Sequence, residues 1–96
     1  MAKLFKGDVG IEFIVNVGAS LVEATMYKLV IRKPSGQIVE WQAQVKGEPT
    51  EGNLSYVIKE GDLNEAGTYR GHAHVEDATF KLTGESFQFM VFEVFT

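Results

Sequence analysis

Cysteine is absent from this chain of 96 residues, and proline occurs only twice. Because a chain without cysteine cannot form disulfides, the disulfide-stabilised scaffolds of small secreted proteins are excluded. The sequence also has no apolar run that approaches the length of a membrane-spanning helix, which is roughly 20 residues. Residues 1–8 contain no apolar core of a signal peptide. We therefore expect the protein to be synthesised and folded in the cytoplasm, without binding a membrane.

Basic residues are scarce: nine Lys and Arg stand against thirteen Asp and Glu, which gives a formal net charge of −4. This balance argues against nucleic acid as a partner, since phosphates favour a basic surface. A hydrophobic fraction of 45% and a charged fraction of 23% exclude a disordered chain. A chain of this length buries about 64% of its extended surface, which is enough for one core, so we predict a single domain over residues 1–96.

Motifs that indicate catalysis are missing. The sequence contains no Gly-x-Ser-x-Gly elbow and no glycine-rich phosphate loop before a helix, so we predict neither an enzyme nor a bound cofactor. His72, His74 and Glu76 alternate on one predicted strand and could ligate zinc. No second cluster of ligands accompanies them, and a solvated strand face explains the same pattern, so we predict no metal. Asp62 and Glu65 lack the alternating acidic residues of a calcium loop, and a turn role for Asp62, accepting backbone N–H bonds, is favoured.

The chain does contain short alternating apolar runs separated by glycine-rich turns, which is the spacing of an all-β sandwich or barrel. The predicted strands cover residues 9–17, 25–32, 37–46, 54–59, 68–76 and 85–95, with residues 80–83 as a short extra strand or part of a hairpin. Lys33-Pro34-Ser35-Gly36 is the strongest turn signal, because Pro34 fixes the first corner and Gly36 accepts a left-handed conformation. The alternation directs these side chains to the core: Tyr27, Leu29, Trp41, Tyr69, Val75, Phe87 and Phe89.

Residues 62–69 contain a more specific pattern, in which Asp62-Leu63, Ala66-Gly67 and Tyr69 precede an alternating strand. The pattern resembles the tyrosine corner of immunoglobulin-like (Ig-like) sandwiches, where the ring packs at the edge of the core and the hydroxyl bonds upstream backbone. Trp41 resembles the buried Trp on strand C of such domains, and Gly71 stands where their second cysteine would be. The resemblance implies an all-β, antiparallel Ig-like sandwich of about seven strands, of Greek-key type and without a disulfide.

The order of features along the chain resembles small Ig-like proteins of bacteriophages and prophages. These features are Gly7-Asp8, the turn at residues 33–36 followed by Trp41, the segment 62–69 and an aromatic last strand. The resemblance implies a structural or adaptor protein that acts through protein–protein contacts in a virion, associated with its tail, baseplate or capsid. The alternative is a bacterial Ig-like module that binds carbohydrate or a cell-surface ligand. That alternative needs an exposed aromatic platform, whereas Trp41 is predicted to be buried.

The last predicted strand is apolar on both faces, although one row of its side chains already supplies the core. The second row contains Met90, Phe92 and Val94. Either strand pairing buries this row within the monomer, or the row is a surface that is buried only on assembly. We predict assembly, with other virion or assembly proteins or a second copy as the partner. The predicted interface consists of Gln42, Gln44, Arg70, His72, His74, Met90 and Phe92.

Overall fold

The computed structural model of the chain describes residues 4–77, 81–84 and 86–94. In these residues the backbone forms two β-sheets with an apolar core between them. The strands are β1 (Leu4–Phe5), β2 (Glu12–Asn16), β3 (Met26–Arg32), β4 (Ile38–Trp41), β5 (Gln44–Val45), β6 (Asn53–Val57), β7 (Gly67–Glu76), β8 (Lys81–Thr83) and β9 (Phe87–Phe92). The described ranges contain one helical element, a 3₁₀ turn at Pro49–Glu51.

The large sheet has the strand order β1-β9-β7-β3-β4, with β8 also paired to β7, and the small sheet has the order β2-β6-β5. Among the described strands every pairing is antiparallel except that of β1 with β9. This arrangement confirms the predicted all-β, Ig-like sandwich. β7 lies between β3 and β9, as strand F lies between strands C and G in Ig domains.

Alternation along β7 shows how the sequence builds the core. Tyr69, Gly71, Ala73 and Val75 are buried between the sheets, while the intervening residues point away from them. The residues predicted for the core divide into two groups: Leu29, Trp41, Tyr69 and Val75 are buried, and Tyr27, Phe87 and Phe89 are half-buried against them.

The predicted strand at residues 37–46 is two strands, because the chain crosses from the large sheet to the small one after Trp41. β4 pairs with β3, and β5 pairs with β6. Side chains at positions 39, 41, 43 and 45 stay buried or half-buried on both sides of the crossing. Because the alternation of buried and exposed side chains continues without a break, the sequence pattern does not reveal the change of sheet. Trp41 is therefore buried on β4, whereas β3 occupies the strand C position beside β7.

The two ends of the chain differ from the prediction in smaller ways. The sequence pattern does not predict β1, because two residues are too few to show a period. The short strand expected at residues 80–83 is β8 at Lys81–Thr83, and the last strand, expected at 85–95, is β9 at Phe87–Phe92. Positions 80, 85 and 95 lie outside the described residues.

Candidate interaction surface

The outer face of the large sheet, turned away from the core, contains most residues of the predicted interface. Strand register places Arg70 beside Gln88 on β9 and beside Arg32 on β3. It also places His72 beside Val30. We define the outer face by the side chains that alternate with the inward-facing ones: Phe5, Met26, Lys28, Val30, Arg32, Ile38, Glu40, Thr68, Arg70, His72, His74, Glu76, Lys81, Thr83, Gln88, Met90 and Phe92.

Two glutamines of the predicted interface lie elsewhere. Gln42 is at the crossing between β4 and β5, where its Nε2 donates to the Tyr27 backbone oxygen at 3.0 Å. Gln44 pairs with Ser55 in the small sheet and is exposed there. The prediction that Gln44 continues the face of Arg70 is therefore wrong, because the crossing moves it to the other sheet.

Arg32 and Arg70 lie opposite each other on neighbouring strands, and both are exposed. Neither makes an ion pair with another residue in the described part of the chain. Like charges directly opposite each other destabilise a sheet, and guanidinium groups bind carboxylates in a bidentate geometry. The sequence prediction did not include Arg32, because its position beside Arg70 depends on a long-range strand pairing that no local pattern encodes.

The other charged groups of the outer face are paired with each other. Lys28 Nζ lies 2.6 Å from a Glu40 carboxylate oxygen. Glu76 lies 3.1 Å from His74 and 3.8 Å from Lys81. The outer face has four Lys and Arg residues against two Glu, although the whole chain has a net charge of −4. Its unneutralised charge is thus positive and is concentrated at the arginine pair.

Exposed apolar side chains accompany the arginine pair. Ile38, opposite Arg32 on β4, is 65% exposed, and Met90 on β9 is 51% exposed. Phe92 is half-buried because its ring packs against that of Phe5 on β1, with the centroids 6.3 Å apart. The second row of β9 is thus divided: Met90 is open to solvent, and Phe92 is partly covered within the monomer.

The two histidines share the outer face with Glu76. His74 Nε2 lies 3.1 Å from Glu76 Oε2, whereas His72 lies opposite Val30. In the described ranges, no group of three or more His, Cys, Asp or Glu residues is close enough to hold a metal ion. These residues therefore contribute a polar region to the outer face.

The buried Tyr69 fixes one end of β7. Its hydroxyl donates to the Glu65 backbone oxygen at 2.7 Å and accepts the Glu65 backbone N–H at 3.1 Å, which is the geometry of a tyrosine corner. Burial raises the pKa of the Tyr69 hydroxyl, although its bond with the Glu65 backbone acts in the opposite direction. Because Arg70 follows Tyr69 directly, the corner fixes the backbone from which the Arg70 side chain projects.

Asp62 bonds the loop before β7 to the small sheet. One of its carboxylate oxygens accepts the Lys59 backbone N–H at 2.8 Å and the Tyr56 hydroxyl at 2.5 Å. Burial, together with this bond to Asp62, raises the pKa of Tyr56 well above the ordinary tyrosine value. The Tyr56 ring also stacks on Trp41, with the centroids 4.7 Å apart. The loop is therefore attached to the core through Tyr56 as well as through the corner.

The hairpin between β3 and β4 is bonded to the same loop. Ser35 donates from its backbone N–H and from its hydroxyl to the Glu65 carboxylate, both at 3.0 Å. Lys33 is buried, and its Nζ donates to Asn64 Oδ1 at 2.8 Å. Because Arg32 directly precedes Lys33, these contacts also fix the backbone of Arg32. Both members of the arginine pair therefore project from well-anchored backbone.

The fold and the outer face together define an Ig-like sandwich with an exposed sheet face that is basic and partly apolar. The sequence profile of the BppU N-terminal domain, from the phage baseplate upper protein, matches residues 9–93. The chain therefore belongs to the BppU N-terminal domain family and is a bacteriophage structural protein, associated with the virion. Membership of a structural family points to a non-catalytic role.

A solved structure extends the comparison of folds. CopC from Methylosinus trichosporium OB3b is similar over 100% of this chain and 89% of that one, with a TM-score of 0.62 and 16% sequence identity. At this identity the similarity shows a shared fold alone. No curated protein matches the chain.

Two further observations concern the burial of Trp41 and membrane-spanning helices. Trp41 is buried, as the alternation predicts, with 3% of its surface exposed. Nowhere in the described ranges is there a helix with the length and apolarity needed to span a membrane.

Proposed function

We propose that the protein is an adaptor of the phage baseplate, and that the outer face of its large sheet binds an acidic, partly apolar surface of another virion protein. The observation that carries this proposal is the exposed pair of Arg32 and Arg70, which no carboxylate in the described part of the chain neutralises. The family supports a location in the baseplate, because it is named for a baseplate protein.

The composition of the outer face supports a protein partner. Arg and Met are enriched in protein interfaces, and Arg is frequent among the residues that contribute most to binding. A partner carboxylate between the two guanidinium groups would accept charge-assisted hydrogen bonds and offset their mutual repulsion. Ile38 and Met90, at 65% and 51% exposure, would bury apolar surface on either side of that contact.

The test reverses the charge of the arginine pair in the phage that encodes the chain. We expect the double variant Arg32→Glu/Arg70→Glu to be incorporated into virions at least about tenfold less, because loss of one interface arginine often costs more than 1 kcal/mol and tenfold corresponds to about 1.4 kcal/mol. Quantitative mass spectrometry of purified virions measures the incorporation. Thermal unfolding of the purified variant checks that the fold is retained.

A second double variant controls for net charge. Lys46→Glu/Lys59→Glu changes the net charge by the same amount at exposed positions outside the outer face. Because Lys46→Glu also breaks the ion pair with Glu12, thermal unfolding checks the fold of this variant too, and we expect nearly normal incorporation. Normal incorporation of the arginine variant would refute the proposal. An equal loss in both variants would also contradict it, since net charge rather than the outer face would then control assembly.

A further inference from the structure

The small sheet has an open edge at β2. In Ig domains the first strand lies in the same sheet as strand B, but here β1 pairs with β9 in the large sheet. β2 pairs with β6 and, among the described strands, with no other. Within the described ranges, the backbone edge of β2 that faces away from β6 is therefore unpaired.

The register of β2 on β6 shows which backbone groups lie at this edge. The Ile58 N–H donates to the Ile11 oxygen, and the Val17 N–H donates to the Gly52 oxygen, both at 2.8 Å. Hydrogen-bonded positions alternate along an antiparallel strand, so the odd-numbered residues from 11 to 17 are bonded towards β6. The N–H and C=O groups of positions 12, 14 and 16 point to the open edge.

In the described part of the chain, this edge has few of the features that usually prevent strand addition, which are short length, charged residues or Pro on the edge, and pairing with a further strand. β2 has five residues, whereas β1 and β5, which also lie at sheet edges, have two each. Its sequence, Glu-Phe-Ile-Val-Asn, contains neither Lys nor Pro, and the charge of Glu12 is paired with Lys46 at 3.1 Å. The inward-facing Phe13 and Val15 are only half-buried, and Ile14 on the other side is 55% exposed.

We propose that a second copy of this chain binds at this edge, with its own β2 antiparallel to the first and with Ile14 of one copy opposite Ile14 of the other. Only this register pairs all the open positions, and it would form about six backbone hydrogen bonds. The side chains are self-complementary in the same register, since Glu12 of each copy lies opposite Asn16 of the other rather than opposite another carboxylate. A register centred on Glu12 would place the two carboxylates together.

The β4 edge of the large sheet is the main rival. It is four residues long and has an exposed Ile38, at 65%. A twofold pairing there would engage fewer open backbone positions than β2 offers, because β4 has four residues and β2 has five. We therefore assign self-association to β2, on the opposite sheet from the surface proposed for the virion partner, so that both contacts can form at once.

Covalent trapping gives a direct test, because the chain has no cysteine of its own. Ile14→Cys, Met90→Cys and Ile38→Cys each place one thiol at a similarly exposed position, since the parent residues are 55%, 51% and 65% exposed. A strand pair centred on residue 14 brings the two Cα atoms to about 5.5 Å, within disulfide range. Under mild oxidation we expect Ile14→Cys to form disulfide-linked dimers at least about tenfold faster than Met90→Cys.

The outcomes separate the competing edges. Equal rates for Ile14→Cys and Met90→Cys would overturn the proposal, as would faster crosslinking of Ile38→Cys, which would move the contact to β4. A pairing of five residues per copy is small for a stable interface, which usually buries more than about 1,200 Å², so the unlinked dimer is expected to be weak.

A second measurement uses the unlinked protein. Sedimentation at millimolar concentration should show reversible dimers of the unmodified chain, and Ile14→Lys should remove them because two lysines would face each other across the pair. Val57→Lys is the matched control: Val57 is 49% exposed on the same side of the small sheet but lies on β6, away from the edge. A variant carrying it should still dimerise. Persistence of dimers in Ile14→Lys, or their absence from the unmodified chain, would contradict the proposal.

Discussion

Along β7, neighbouring residues meet opposite surroundings on the two faces of the sheet. On the inner face Tyr69 is 0% exposed and both hydrogen-bonding roles of its hydroxyl are used by the Glu65 backbone. On the outer face the next residue, Arg70, is exposed and has no ion pair within the described ranges. The inner face is thus complete within the monomer, whereas the outer face has binding groups that the monomer leaves unused.

The inner face therefore maintains the fold, and the outer face is available for contacts. In the described residues no buried side-chain nitrogen or oxygen lacks a hydrogen-bond partner, as a stable interior requires. The outer face tolerates two directly opposed arginines, an arrangement that a sheet selected for stability alone would avoid. Substitutions on the inner face should therefore reduce stability, and substitutions on the outer face should reduce binding.

The largest effect is expected from Tyr69→Ala. Truncating a fully buried aromatic side chain typically costs about 3–5 kcal/mol, and here it also removes the hydroxyl that bonds the Glu65 backbone. Arg70→Ala, one residue further on, should change the free energy of unfolding by only about 0.5 kcal/mol. Urea denaturation of both variants measures the contrast. Similar losses of unfolding free energy in the two variants would show that the outer face also maintains the fold.

A smaller effect on the same strand is expected from Gly71→Ala. A Cβ atom at Gly71 would lie 2.5 Å from Ile31 Cδ1, 2.9 Å from Phe87 Cζ and 3.1 Å from the Val30 backbone oxygen. Overpacking of this kind costs about 1–3 kcal/mol, because the Phe87 ring and the neighbouring strand have to move. His72→Ala, on the outer face, should cost less than about 1 kcal/mol. If Gly71→Ala were as stable as the unmodified chain in thermal unfolding, the inner face would be less tightly packed than the structure indicates.

Local patterns were sufficient to predict the inner face. Period-two alternation placed Leu29, Tyr69 and Val75 in the core, and the turn at residues 33–36 fixed a hairpin, because both depend on neighbours along the chain. The crossing after Trp41 could not be predicted, since the side chains keep alternating while the backbone changes its hydrogen-bonding partner. The pairing of β1 with β9 is likewise a contact between distant segments, and two residues carry no periodic signal.

The outer face shows the same limit more clearly. The sequence predicted that Arg70, His72 and Met90 point outward, but it could not show which side chains of other strands lie beside them. The register of β3 on β7 is what brings Arg32 to Arg70 and so creates the unneutralised charge. The crossing removes Gln44 from the same surface. A surface site assembled from several strands thus depends on pairings that only the folded chain specifies.

The smallest effect on stability, and the sharpest distinction between fold and contact, is expected within the second row of β9. Met90 is 51% exposed, so Met90→Lys should change the free energy of unfolding by no more than about 0.5 kcal/mol. Phe92→Asp should cost more, about 1–2 kcal/mol, because Phe92 packs against Phe5 and a carboxylate there would be partly desolvated. Met90→Lys is therefore the better probe of the outer face: incorporation into virions should fall while its unfolding curve stays unchanged. A large loss of stability in Met90→Lys would place this side chain in the fold of the monomer, and normal incorporation would remove it from the contact with the virion partner.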